Sequence, residues 1–372
     1  METDELSKFL SQARTCMKNI QSFKYVMVVL GNETCDLDSA ISSLAYSLLL
    51  NRLKTTESVV IPVFNIPREH LPMKTEVTYF LNKLNIDLNN VTCRNEINLE
   101  ELNNKDSLKL ILLDHHVLPP ADAYLAASVV SVIDHRPHDP SWPWTSADVT
   151  LRSVGSCCTL VAEKLFSQAP DLVSPNVAIL LWGAILLDTA CLSSEVGIAT
   201  SLDHQMATKL QGCCSSLSIG QDQLFRDLKR AKSDISSLTS SQLLLKDLKV
   251  TARIPVAGLP IKVQEFLKRE DAKRAVQDFC EAYKTKVCVV YGSEFAQGTV
   301  TRDLAVYNHA DKNAALEIVA ALKSNKDPSL DLQPQPCSVE GFMLFEQFNI
   351  KATRKQVLPI IRQVGEKILP TS

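Results

Sequence analysis

The sequence predicts an α/β protein, a parallel-sheet domain followed by a second, smaller mixed α/β domain. Two observations point to the parallel sheet. Continuous β-branched and leucine-rich runs alternate with segments of helical spacing, and those runs are apolar at nearly every position. A strand that is apolar on both faces needs cover on both faces, as parallel sheets have. The third observation is length. At 372 residues the chain exceeds the roughly 250–300 at which a single core stops growing.

The run Tyr-Val-Met-Val-Val-Leu at 25–30 is the first strand and ends at Gly31. A helix is predicted over 38–53, where Ile41, Leu44, Ala45, Leu48 and Leu49 recur at helical spacing. Further strands are predicted at 59–66, 108–113 and 129–133. Helices follow at 153–166 and 176–187, the second behind a Ser174-Pro175 start signal. The stretch 190–216 is rich in Ser, Thr and Gly and only weakly periodic. Residues 225–248 read as one charged helix, with Lys229, Arg230 and Lys232 on a solvated face. The predicted domains are 1–215 and 225–372, joined by a linker at 216–224. The second domain shows strands at 254–257, 287–291 and 304–307, helices at 263–269, 272–282 and 314–322, and a surface loop at 327–337.

Composition narrows the function. The net charge is −3, so no global basicity draws the chain to nucleic acid. No apolar run reaches the ~20 residues of a membrane span. The acidic N-terminus lacks the basic and apolar regions of a signal peptide, so a cytoplasmic protein is expected. The chain has 11 cysteines and no Cys-x-x-Cys. That disfavours zinc fingers and a disulfide framework, and leaves buried thiols in a reducing compartment.

Four segments place acids or histidine just past apolar runs: Asp36 and Asp38 after the first, Asp114-His115-His116 after the third, Asp134-His135-Arg136 after the fourth, and Asp188 at the end of an apolar helix. Parallel sheets bind ligands at the carboxyl ends of their strands. Carboxylates converging there repel one another unless cations neutralise them. An aspartate-rich set with one histidine suits Mg²⁺, Mn²⁺ or Co²⁺. Asp36 could equally cap a helix. The Gly155-Ser156-Cys157 turn could bind a phosphate through its amides or be an ordinary helix start.

These motifs carry a resemblance. Val29-Leu-Gly-Asn-Glu33, Cys35-Asp-Leu-Asp-Ser39, Leu113-Asp-His-His116, Ile133-Asp-His-Arg-Pro137, Val154-Gly-Ser-Cys157 and Ile185-Leu-Leu-Asp188 resemble the DHH phosphoesterase superfamily, and most closely the animal prune proteins. Thr353-Arg-Lys-Gln-Val-Leu-Pro359 resembles a motif of the DHHA2 domain, so the two predicted domains look like DHH and DHHA2. The resemblance implies an exopolyphosphatase that cleaves terminal phosphate from short inorganic polyphosphate lying between the domains. It also implies two alternatives: a cyclic-nucleotide phosphodiesterase, and a weakly active regulatory protein acting through protein partners in cell migration.

Role by role, the resemblance implies that Asp36, Asp38, Asp114, His135 and Asp188 bind metal. Arg136, Lys249, Arg354 and Lys355 would hold substrate phosphates, with Arg302 a weaker candidate. Asp114, His135 and Arg136 would carry catalysis, and Asn32, His115, His116 and Asp134 would support the ligands. Two positions depart from the family II pyrophosphatases, which have histidine at the positions of Asn32 and Arg136. An arginine cannot ligate metal, but it can grip phosphate bidentately. The departures argue for a substrate other than pyrophosphate.

Overall fold

The computed structural model describes residues 4–142, 144–214, 218–296 and 299–368. It divides into two compact units, one running to Asp234 and the other starting at Ile235. The strands of the first unit are β1 (Tyr25–Leu30), β2 (Ser58–Phe64), β3 (Thr92–Cys93), β4 (Leu108–Leu113), β5 (Val129–Asp134) and β6 (Asp148–Leu151). Its helices are α1 (Glu5–Cys16), α2 (Leu37–Leu53), α3 (Thr75–Lys83), α4 (Leu99–Asn104), α5 (Cys157–Gln168), α6 (Pro175–Asp188), α7 (Ser201–Cys213) and α8 (Gln221–Ser233).

The six strands pair in the order β3-β2-β1-β4-β5-β6, and all pairs are parallel. Every residue of β2 is buried, as are the last four of β4 and of β5. That is the burial the unbroken apolar runs require. From β1 the chain moves outward through β2 and β3, then returns to β4 on the other side of β1. Connections leaving in opposite directions open a crevice at the carboxyl ends of β1 and β4. Helix α2 starts in that crevice, and its serines Ser39, Ser42, Ser43 and Ser47 are buried beside Ile41, Leu44 and Leu48.

Helix α6 is buried from Val177 to Leu186. Its Gly183 lets α3 and α8 approach: a Cβ there would lie 2.6 Å from Phe80 Cε1 and 3.0 Å from Leu228 Cδ1. Overpacking costs about 1–3 kcal/mol, against the ~1 kcal/mol that alanine gains in a helix. Gly183→Ala is therefore expected to lower the melting temperature of the intact chain. An unchanged or higher midpoint would show that the three helices have slack here.

The second unit holds β7 (Asp247–Thr251), β8 (Ile254–Leu259), β9 (Val287–Ala296), β10 (Thr299–Asn308), β11 (Leu332–Gln335) and β12 (Phe342–Gln347). Its helices are α9 (Ser240–Lys246), α10 (Val263–Phe266), α11 (Ala272–Ala282), α12 (Lys312–Ser324) and α13 (Arg354–Ile368). The sheet order is β11-β12-β10-β9-β8-β7, antiparallel except between β8 and β9. Leu243 of α9 and Val276 of α11 pack on one face. Ile318 of α12 and Ile361 of α13 pack on the other.

Two expectations need correction. The single helix over 225–248 is α8, then α9, then β7. Helix α8 stops at Asp234, Thr239 opens α9 with a capping box, and pairing with β8 pulls Asp247 onward into a strand. The compact units divide after α8, whose Leu224 and Leu228 join the first core. Residues 215–217 lie outside the described residues. The loop at 327–337 contains β11, an edge strand paired to β12.

Candidate metal centre

Two carboxylates and one imidazole, those of Asp38, Asp114 and His135, meet at the carboxyl rim of the first sheet, and the charges of Asp36 and Asp188 act on the cluster from nearby. Asp36 caps α2, its Oδ1 accepting from the Ser39 amide at 3.2 Å. Asp38, in the first turn of α2, is only 1 % exposed. Asp114 leaves β4 with φ of 60°, a left-handed conformation that aspartate tolerates better than most residues. His135 follows β5. Its Nδ1 lies 2.9 Å from the Val154 carbonyl. The ring therefore keeps its proton there and turns Nε2 toward the acids. That nitrogen is 3.2 Å from Asp114 Oδ1 and 3.8 Å from Asp38 Oδ2. One ligand atom from each of Asp38, Asp114 and His135 lies within 4.8 Å of the others.

The start of α5 fixes Asp38. Ser156 Oγ donates to Oδ1 at 2.5 Å, the Cys158 amide to the same oxygen at 2.8 Å, and the Cys157 amide to Oδ2 at 2.7 Å. The Gly155-Ser156-Cys157 turn thus spends its donors on a carboxylate of the protein. Buried Asp203 holds the turn in place. It accepts from the Gly155 amide at 2.8 Å, from Thr159 Oγ1 at 2.5 Å and from Thr200. Asp203 escaped the sequence reading, although Thr200-x-x-Asp203 is a capping-box pattern.

Asn32 presents its two ends to different partners. Its Oδ1 faces its own loop and accepts from the Thr34 amide and hydroxyl and the Cys35 amide. Its Nδ2 donates to Asp114 Oδ2 at 2.6 Å. That side chain therefore offers a donor to the site, not a ligand atom. Asp134 is fully buried. It accepts from His116 Nδ1 at 2.5 Å and from the amides of His135 and Arg136. His116 Nε2 accepts from the Asp139 amide at 2.9 Å, which leaves the proton on Nδ1. His115 Nδ1 lies 2.9 Å from the Leu113 carbonyl. Arg136 Nη1 donates to the Asp114 carbonyl, to Asp114 Oδ1 at 2.8 Å and to Asp134 Oδ1 at 3.1 Å.

The electrostatics are those of crowded anions. Burial, then the charge of Asp38, pushes Asp114 up to about 7. Burial and the charges of Asp38, Asp36 and Asp114 hold Asp188 well above the usual carboxylate range. Burial alone would lower His135, but its bond to Asp114 and the charge of Asp38 raise it to about 9. Asp188 accepts no hydrogen bond among the described residues. Oxygen donors with one imidazole nitrogen, and a buried carboxylate lacking a donor, fit a hard divalent cation.

In the second unit Lys249, Arg302, Arg354 and Lys355 line one cavity of about 570 Å³ with Tyr291 and Ser293. Arg354 is bonded to Asp247, Nη2 to Oδ1 at 2.6 Å. Arg302 donates to Ser293 Oγ at 2.8 Å and to Tyr291 Oη at 3.2 Å. The site residues named from sequence thus fall into two groups, a carboxylate cluster in the first unit and a basic cavity in the second.

Residues 26–185 match the N-terminal domain of the DHH family, and residues 226–364 match the DHHA2 domain. The chain is 36 % identical to the exopolyphosphatase PRUNE1 of Bos taurus, over 94 % of this chain and 77 % of that protein. It is 27 % identical to a putative exopolyphosphatase of Schizosaccharomyces pombe, over 98 % of this chain and 100 % of that one. It is 28 % identical to a manganese-dependent inorganic pyrophosphatase of Methanothrix thermoacetophila, over 59 % of this chain and 64 % of that protein. The chain belongs to the DHH–DHHA2 family that includes the exopolyphosphatase PRUNE1.

Proposed function

We propose that this chain is a metal-dependent phosphohydrolase that releases terminal phosphate from short inorganic polyphosphate. One observation carries the reading: Asp38, Asp114 and His135 converge within the reach of a single cation, with Asp36 and Asp188 close enough for their charges to be felt. Mn²⁺ or Mg²⁺ held there would polarise phosphate oxygens and lower the pKa of water. The chain's own groups do the rest. Asn32 and Arg136 orient Asp114, and the Val154 carbonyl orients His135. The Nε and Nη2 groups of Arg136 donate to no described residue, so they are available to a phosphate oxygen. Lys249 and Lys355 give the cavity of the second unit positive charge suited to a phosphate.

The relatives named as exopolyphosphatases and as a manganese-dependent pyrophosphatase support this substrate class and metal. All eleven cysteines are free thiols, which suits the cytoplasm. Among the described residues no helix is long and apolar enough to cross a membrane. The test is a side-by-side assay of tripolyphosphate, pyrophosphate and cyclic AMP at equal concentration with Mn²⁺ or Mg²⁺. Phosphate release is expected to be fastest from tripolyphosphate, and Asp114→Asn is expected to abolish it. Hydrolysis of cyclic AMP alone, or of none of the three, would overturn the reading.

A further inference from the structure

Two lysines of the first unit stand at the same rim as the carboxylates and have no assigned role. Lys74 precedes α3, and Lys232 lies in the last turn of α8. Helix α3 follows β2, whose carboxyl end shares the rim with β1, so α3 begins there. Helix α8 runs antiparallel to α3. Lys83 meets Asp227 at 3.0 Å at one end, and Thr75 Oγ1 donates to the Lys232 carbonyl at 3.3 Å at the other.

Helix α6 ends at this rim with Asp188. Gly183, Phe80 and Leu228 mark one level where the three helices touch. From that level toward the rim, Asp188 is five residues along α6, Lys232 four along α8 and Thr75 five back along α3. At 1.5 Å per residue these steps are about 7.5, 6 and 7.5 Å. Asp188, Lys232 and the start of α3 therefore reach the rim at one height. The charges agree. The charge of Lys232 is felt at Asp188, and that of Lys74 at Cys35, the neighbour of Asp36. Neither ammonium makes an ion pair among the described residues.

We propose that Lys74 and Lys232 form an anion subsite of the first unit that takes substrate phosphates beyond the one at the carboxylate cluster, an assignment that rests on the polyphosphatase reading above. Lysine suits this task, since its ammonium follows a flexible chain of charges without demanding planar geometry. Paired carboxylates alone would repel a polyanion, and cations on their flank offset that field.

The test is the full-length Lys74→Gln, Lys232→Gln and double variants with tripolyphosphate. Each single change is expected to raise KM about three- to tenfold, with kcat within about twofold. Lys232→Arg should restore KM. A second arm uses Asp114→Asn protein, which should not turn substrate over, and measures tripolyphosphate binding by calorimetry with and without the two lysine changes. Weaker binding without the lysines supports the subsite even if wild-type protein releases no phosphate, an outcome that would defeat only the polyphosphatase reading. Active wild-type protein with KM and binding unmoved by both lysine changes overturns the subsite. So does a fall in kcat alone.

Discussion

Asp188→Asn is expected to abolish phosphate release while making the metal-free protein more stable. Asp188 is the last residue of α6, where the helix dipole disfavours negative charge. It lies near three other carboxylates, and no described group donates to it. The isosteric amide removes that charge without opening a cavity or orphaning a donor. Relieving that repulsion would lift the melting point, by roughly 2–4 °C for each kcal/mol in a unit of this size. Activity should fall on the order of a thousandfold, because the amide is a poorer cation ligand than a carboxylate. Thermal scans in chelator and a phosphate assay in Mn²⁺ check both halves. A variant that loses activity and stability together would make Asp188 a structural residue.

Without metal, the wild-type protein is expected to lose stability as pH rises from about 4 to about 9. Asp114 titrates at about 7 in the folded chain against an ordinary 3.8. Between those values the native state keeps a proton that the unfolded chain has released, so stability falls as pH rises. His135, at about 9 against 6.5, carries the fall through the upper window in the same direction. One extra native proton is worth about 1.4 kcal/mol per pH unit, or about 3–5 °C at this size. A divalent cation takes the place of those protons. The gap between melting points in Mn²⁺ and in chelator should therefore widen from pH 5 to pH 9. A gap that stays constant would mean these groups do not titrate with folding.

Much of this was legible in the sequence because parallel strands buried on both faces leave an unmistakable apolar run. The runs at 25–30, 108–113 and 129–133 gave β1, β4 and β5, and the acids just past them had to lie on one rim. Where tertiary contacts decide, the sequence said less. Asp247 and Leu248 read as the end of a charged helix, yet pairing with β8 makes them the start of a strand. β11 contains Pro334 and sits at a sheet edge, where proline is tolerated. The orientation of Asn32 was hidden because an amide offers both a donor and an acceptor, and only the loop Thr34–Cys35 decides between them. Lys232 looked like one more solvated charge, since nothing local in sequence brings it to Asp188.

Anomalous scattering from crystals grown with Mn²⁺ tests the central claim most directly. The expected map has a strong peak bound by Asp38, Asp114 and His135 Nε2, with the imidazole released from its bond to Asp114. A map empty at that point, with His135 still bonded to Asp114 and manganese elsewhere or absent, would contradict the account.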